Sequence, residues 1–162
     1  MSVPTAEAGV LDRAFAERWY REGWIRAWNE NRPEMCADLV TDDFVLDSPT
    51  TRHTKSLVQG PEAAAGYIRY VLGAYPDLKW EITEAPMYSD ELARAAFSWR
   101  GTGHFTGRFD PPGIVGNGNA FEFSGLEVFD FRDGKACYLN ASYDLLGLMK
   151  QIGLYRGATG SA

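Results

Sequence analysis

The sequence predicts an α+β fold in which one bent sheet wraps helices. Three observations carry this. Large apolar residues recur at helical spacing through the N-terminal half, the period changes to two at Leu78, and neither an internal repeat nor a βαβ alternation appears. With 162 residues, 45% of them hydrophobic and 23% charged, the chain suits a single domain with a sizeable core. The expected boundaries are a flexible lead over residues 1–10, one domain over 11–153 and a flexible tail over 154–162.

Each element has its own signal. Leu11, Phe15 and Trp19, with Tyr20, Trp24 and Trp28, form two i, i+4 rows, which predict a first helix from Leu11 to Asn29 with one broad aromatic stripe. Pro33 and Glu34 suit the first turn of a short second helix ending near Val40. Thr41, Asp42 and Asp43 break that pattern, and Phe44 to Ser48 alternate as a strand stopped by Pro49. After a polar loop, Gly60 and Pro61 open a third helix that carries Tyr67, Ile68, Val71, Leu72 and Tyr75 up to Pro76. Leu78, Trp80 and Ile82 begin a strand, and the turn at Ser89 to Glu91 leads into another from Leu92 to Phe105, a hairpin. Pro111, Pro112 and several glycines make Thr106 to Asn119 a long irregular loop. Strands Ala120–Phe131 and Lys135–Tyr143 follow, joined at Asp133-Gly134, and a last helix starts after Asp144. The four later strands are expected in antiparallel series.

Composition excludes several classes of function. A net charge of −6 without a Lys or Arg run argues against nucleic acid and anionic membranes, which need clustered cations. No apolar run approaches the roughly 20 residues of a spanning helix. Two widely spaced cysteines, Cys36 and Cys137, and the lack of an export signal at the start lead to the expectation of reduced thiols in a cytoplasm. There is no Walker loop, HExxH or EF-hand loop, and the chain has two histidines, His53 and His104, so neither a metal nor a cofactor is expected. The excess lies in the aromatic residues, five Trp, eight Tyr and nine Phe, and a lined cavity is one use for them.

The unusual position is Glu127. Strand alternation puts it on the face of Phe121, Phe123, Phe129 and Phe131, where desolvation would raise its pKa and let it donate a proton near neutrality. A bulge or sheet edge turning it outward is the competing reading. Asp47, at the end of its strand, reads either as a general base at a cavity rim or as an Asx-turn residue before Pro49. His104 shares parity with Arg100 and Thr102, a polar face, unless the neighbouring glycines make a bulge that turns it inward. Asp144 reads first as the N-cap of the last helix. Trp24, Trp28, Trp80 and Trp99 suit a core or a pocket wall. The candidate substrate-lining set is Trp24, Tyr20, Trp28, Tyr88, Trp99, Phe123 and Asn140.

In order along the chain stand Trp28-Asn29, Asp43-Phe44-Val45-Leu46-Asp47-Ser48-Pro49, Gly60-Pro61-Glu62-Ala63 and Tyr75-Pro76-Asp77-Leu78. Gly125-Leu126-Glu127-Val128-Phe129, Asp133-Gly134-Lys135, Tyr143-Asp144 and Gln151-Ile152-Gly153 complete the series. From Leu11 to Gly153 this pattern resembles the SnoaL-like polyketide cyclases, members of the nuclear transport factor 2-like cone fold that also includes ketosteroid isomerases. The resemblance implies that Asp47 is a proton-shuttling aspartate and Glu127 a protonated acid in an oxyanion hole, with Trp24 as the other donor. An indole N–H donates but does not share a proton as a phenol does, which argues against steroid isomerisation. The segment Gly101-Thr102-Gly103-His104-Phe105-Thr106-Gly107 differs from the family's Gly-Thr-His-Thr-Gly by one place, and one place reverses a strand side chain.

The expected function is therefore cofactor-free acid/base ring closure on a polyketide-derived or polycyclic hydrophobic small molecule, with Asp47, Glu127 and, if inward, His104 as catalytic residues. Epoxide opening in the same cone and non-catalytic carriage of a hydrophobic ligand are the alternatives. A homodimer formed through the outer sheet face is expected.

Overall fold

A computed structural model describes residues 11–155 and 157. The expected lead, residues 1–10, lies outside the described residues, as do 156 and 158–162 of the expected tail. Leu154 and Tyr155, just past the expected domain end, both donate a backbone N–H to Met149 O.

The first helix runs as three continuous segments, α1 (Arg13–Arg18), a π-helical stretch (Trp19–Trp24) and α2 (Ile25–Asn29). Asp12 caps it by accepting from Phe15 N. The π stretch buries Trp19, Tyr20, Gly23 and Trp24. Gly23 leaves room for the Leu39 side chain there, since a Cβ would lie 2.5 Å from Leu39 Cδ2. A 3₁₀ turn (Pro33–Met35) and α3 (Cys36–Leu39) make up the short second helix, with Pro33 in its first turn.

Strand β1 (Val40–Asp47) starts earlier than the sequence predicts. Thr41 to Asp43 do not end the chain's pairing. They form a bulge, since Val40 faces Ala136 and Val45 already faces Tyr138. The polar loop expected after Pro49 is instead helix α4 (Pro49–Thr54). Ser48 accepts from Thr51 N while Thr51 Oγ1 accepts from Ser48 N, a reciprocal cap, and Pro49 occupies the first turn. A proline that stops a strand can therefore also start a helix. Helix α5 (Gly60–Ala74) matches its expected span.

The later strands are β2 (Lys79–Ile82), β3 (Met87–Ser89), β4 (Arg94–His104), β7 (Ala120–Arg132) and β8 (Lys135–Tyr143). A small hairpin, β5 (Arg108–Phe109) with β6 (Ile114–Val115), occupies the segment expected to be irregular, its prolines confined to the turn. The main sheet has the order β1-β8-β7-β4-β2, with β3 on β4 beside β2. It is mixed: β1 runs parallel to β8, and the other pairs are antiparallel. Helix α6 (Leu145–Gln151) follows Asp144, which accepts from Gly147 N at 2.8 Å and so is the N-cap.

One face of the sheet packs on the first helix and α5. Ala95, Phe97 and Trp99 of β4, Phe123 and Phe129 of β7, and Leu139 and Ala141 of β8 are buried there with Trp19, Tyr20, Trp24 and Ile68. The rings interlock edge to face, as Trp24 against Phe129 at 5.5 Å and Trp80 against Trp99 at 4.4 Å. Among the described residues, no helix is long and apolar enough to cross a membrane.

Candidate active site

Between the sheet and the helices lies a cavity of about 300 Å³, within the range of small-molecule sites. Trp24, Trp28, Trp80, Trp99 and Phe123 form aromatic walls, and Leu145, Leu148 and Met149 of α6 close one side. No Lys or Arg lines it. Its rim includes His53 and Thr54 of α4, Tyr70 of α5 and Pro112 beyond β5, and Tyr70 Oη donates to Pro111 O at 2.9 Å across this opening.

Glu127 is the only carboxyl group among the lining residues. β7 is regular here, with Glu127 opposite Phe97 on one side and Ala141 on the other, so no bulge turns it outward. Tyr20 Oη donates to its Oε2 at 2.8 Å, and Trp24 Nε1 donates to its Oε1 at 3.3 Å. Tyr20 is fixed by stacking on Phe97 with ring centroids 3.9 Å apart. Burial pushes the carboxyl up to about 7, against the lowering effect of these two donors. Burial likewise raises Tyr20 well above the ordinary phenol value, so it stays a donor.

The other two proposed catalytic residues are not in the cavity. Leu46 and Ser48 face inward, so strand alternation turns Asp47 to the opposite face. There Asp47 pairs with Arg52 Nη1 at 2.7 Å and accepts from Tyr138 Oη at 3.2 Å. His104 also points outward, as its parity with Arg100 and Thr102 implies. Its Nδ1 lies 2.6 Å from Asp77 Oδ2, and its side chain is half exposed. The glycines at 101 and 103 make no bulge, since pairing runs without a break from Arg94 to His104. Instead they leave room inside for Trp80 and for Phe121.

Of the expected lining set, Trp24, Trp28, Trp99 and Phe123 line the cavity. Tyr20 stands behind Glu127 and reaches the site through it. Tyr88 lies on β3, under the Arg13 guanidinium at 5.7 Å, and is not a lining residue. Asn140 is exposed on the outer face, level with Asp47.

A group of hydroxyls escaped the sequence reading. Ser48 Oγ lies 3.3 Å from Tyr67 Oη, and Thr50 Oγ1 lies 2.5 Å from Tyr143 Oη, all four residues on the cavity wall. Ser48 was legible from its parity with Leu46, and Tyr67 from its place on the apolar face of α5. Thr50 was not, because α4 itself was not expected. Gly125 permits the Tyr143 position: a Cβ there would meet Tyr143 Cβ at 2.8 Å and Trp99 at 2.7 Å.

A bent mixed sheet thus folds over an aromatic cavity that holds one buried acid, and the comparisons with known proteins agree with this fold. The profile of the SnoaL-like domain matches residues 21–139, and the chain belongs to this family. TsrD from Streptomyces laurentii superimposes with a TM-score of 0.74 at 21% identity, covering 90% of this chain and 99% of that one. A protein from Jannaschia sp. CCS1, provisionally described as a SnoaL-like polyketide cyclase, gives 0.71 at 18% identity over 96% of this chain and 100% of that one. A protein of ketosteroid isomerase-like fold from Catenulispora acidiphila, solved with trimethylamine, gives 0.65 at 16% identity, covering 83% and 92%. At these identities the likeness is one of fold. No curated protein matches in sequence.

Proposed function

We propose that the protein is a cofactor-independent cyclase or isomerase that closes or rearranges a ring in a polyketide-derived or polycyclic intermediate. The observation that carries this is Glu127, a single buried carboxyl with a pKa of about 7 set in an aromatic cavity that no Lys or Arg lines. A group poised near working pH is suited to general acid/base catalysis. Protonated Glu127 donates to a substrate carbonyl oxygen and stabilises the enolate or alkoxide that develops there, in a site where flat walls hold the reacting conformer. Tyr75 Oη, Trp80 Nε1 and Trp99 Nε1, all on lining residues, lack a hydrogen-bond partner among the described residues. A substrate rich in acceptor oxygens suits such a wall better than a hydrocarbon.

The test is turnover of intermediates produced by enzymes encoded beside this gene, with product structures determined. Glu127→Gln is expected to lower kcat about 10²-fold or more. Asp47→Asn is expected to stay within about threefold of wild type, since an exposed ion pair contributes little. Full activity in Glu127→Gln would remove the proposal. An ether or diol product would move the chemistry to epoxide opening, and a retained, unaltered ligand would make the protein a carrier.

A further inference from the structure

With Asp47 and His104 outside the cavity, Glu127 needs a polar counterpart, and the structure offers one on the facing wall. Ser48 and Tyr143 approach it from two strands. Leu46 pairs with Leu139, Asp47 with Asn140, and Ala141 with Glu127. Ser48 therefore follows level with Ala141, two strands from Glu127, or roughly 10 Å at ordinary strand spacing. Tyr143 lies two residues beyond Ala141 on the same inward face of β8. The small Ala141 side chain between them leaves the space open.

The hydroxyls form two pairs: Ser48 meets Tyr67, and Thr50 meets Tyr143. Each pair carries two hydroxyl protons, and its one link absorbs only one of them. Ser48 Oγ also lies 3.4 Å from Thr51 Oγ1, outside the cavity. In the other pair Thr50 N donates to Tyr143 Oη at 3.3 Å. If Thr50 Oγ1 donates as well, both lone pairs of the phenol are engaged and its own O–H is left to point at a ligand.

We propose that Tyr143 is a further donor to substrate beside Glu127, with Thr50 as its positioning residue. The substrate is accordingly a neutral, flat molecule that presents acceptor oxygens at two places, one to Glu127 and one to Tyr143. This rests on the reading of Glu127 given above. A carboxylate- or phosphate-bearing substrate finds no Lys or Arg on the cavity wall to pair with.

The probe is 9,10-anthraquinone, a neutral planar diketone, bound to the purified full chain. Its affinity is read by quenching of tryptophan fluorescence and its carbonyl stretches by infrared difference spectroscopy between pH 6 and 8. In wild type, two carbonyl bands are expected below the hydrocarbon-solvent position. One should move as Glu127 ionises near pH 7, and the other should stay constant. Tyr143→Phe should abolish the constant band's displacement and weaken binding about three- to tenfold, the worth of one neutral hydrogen bond. Thr50→Val should move the same band partway and leave the titrating band alone. Thr50→Val decides the matter even if Tyr143→Phe fails to fold: a constant band that it leaves in place belongs to another donor, such as Trp99 Nε1, and overturns the Tyr143 role. A single displaced band that titrates near pH 7 overturns the Tyr143 role while leaving Glu127 in place. Absence of binding, or two undisplaced bands, overturns both.

Discussion

Glu127 illustrates how far one side chain can depart from its ordinary chemistry. Its carboxyl is raised from 4.5 to about 7 because burial penalises the charge, and two neutral donors only partly offset that. The native state therefore holds this proton more tightly than the unfolded chain does. Stability should fall as pH rises from about 4.5 through about 7 and change no further from this group above that, a loss of about 3 kcal/mol in all. Urea melts across that range check it, and Glu127→Gln should flatten the slope. Tyr20→Phe keeps the stack on Phe97 but removes the donor to Oε2, a contact that lowers the Glu127 pKa. The expected outcome is a carboxyl titration displaced to higher pH, read by ¹³C NMR of the labelled glutamate.

Elements carry the site as walls whose ends are pinned. α4 is held by the Ser48–Thr51 cap and by Arg52, which reaches Asp47 and the Ala141 carbonyl. The residue first read as a base thus helps to anchor the helix that bears Thr50 and His53. α6 places Leu145, Leu148 and Met149 on the cavity and starts from the Asp144 cap. Asp144→Ala should cost about 1 kcal/mol of stability, while Asp144→Asn, which can still cap, should cost much less. Rescue by Asn in thermal melts, with activity following stability, separates a cap from a catalytic role.

At the scale of the whole molecule, the outer sheet face carries half-buried Ala96, Leu126 and Val128 between the Arg94–Asp130 and Asp47–Arg52 ion pairs. A second copy of the chain remains the proposed partner for this face. Analytical ultracentrifugation at micromolar concentration should give a dimer mass, and Leu126→Glu should shift it to monomer without disturbing ligand binding, since Leu126 points away from the cavity.

The order of elements was readable because helical and strand periods are local: the stripe from Phe15 to Trp28, the alternation from Leu78 onward and the Asp133-Gly134 turn each need only their own neighbours. Parity was equally local, and it placed Glu127 inward and His104 outward. What local reading missed was α4, where a proline was taken only as a stop, and the bulge that carries Thr41 to Asp43 along β1. The Asp47 assignment came from its place at a strand end, and then from the resemblance, and parity with Leu46 and Ser48 was the better guide.

By itself, then, the chain determined its main helices and strands, its aromatic interior and the candidacy of one acid within it, since these depend on spacing over a few residues. Only the tertiary structure decided which groups share the cavity with that acid. The parallel pairing of β1 with β8 brings Ser48 and α4 beside Ala141 and Tyr143, residues some ninety positions apart. Contacts of that kind arise from sheet closure and are written in no local pattern.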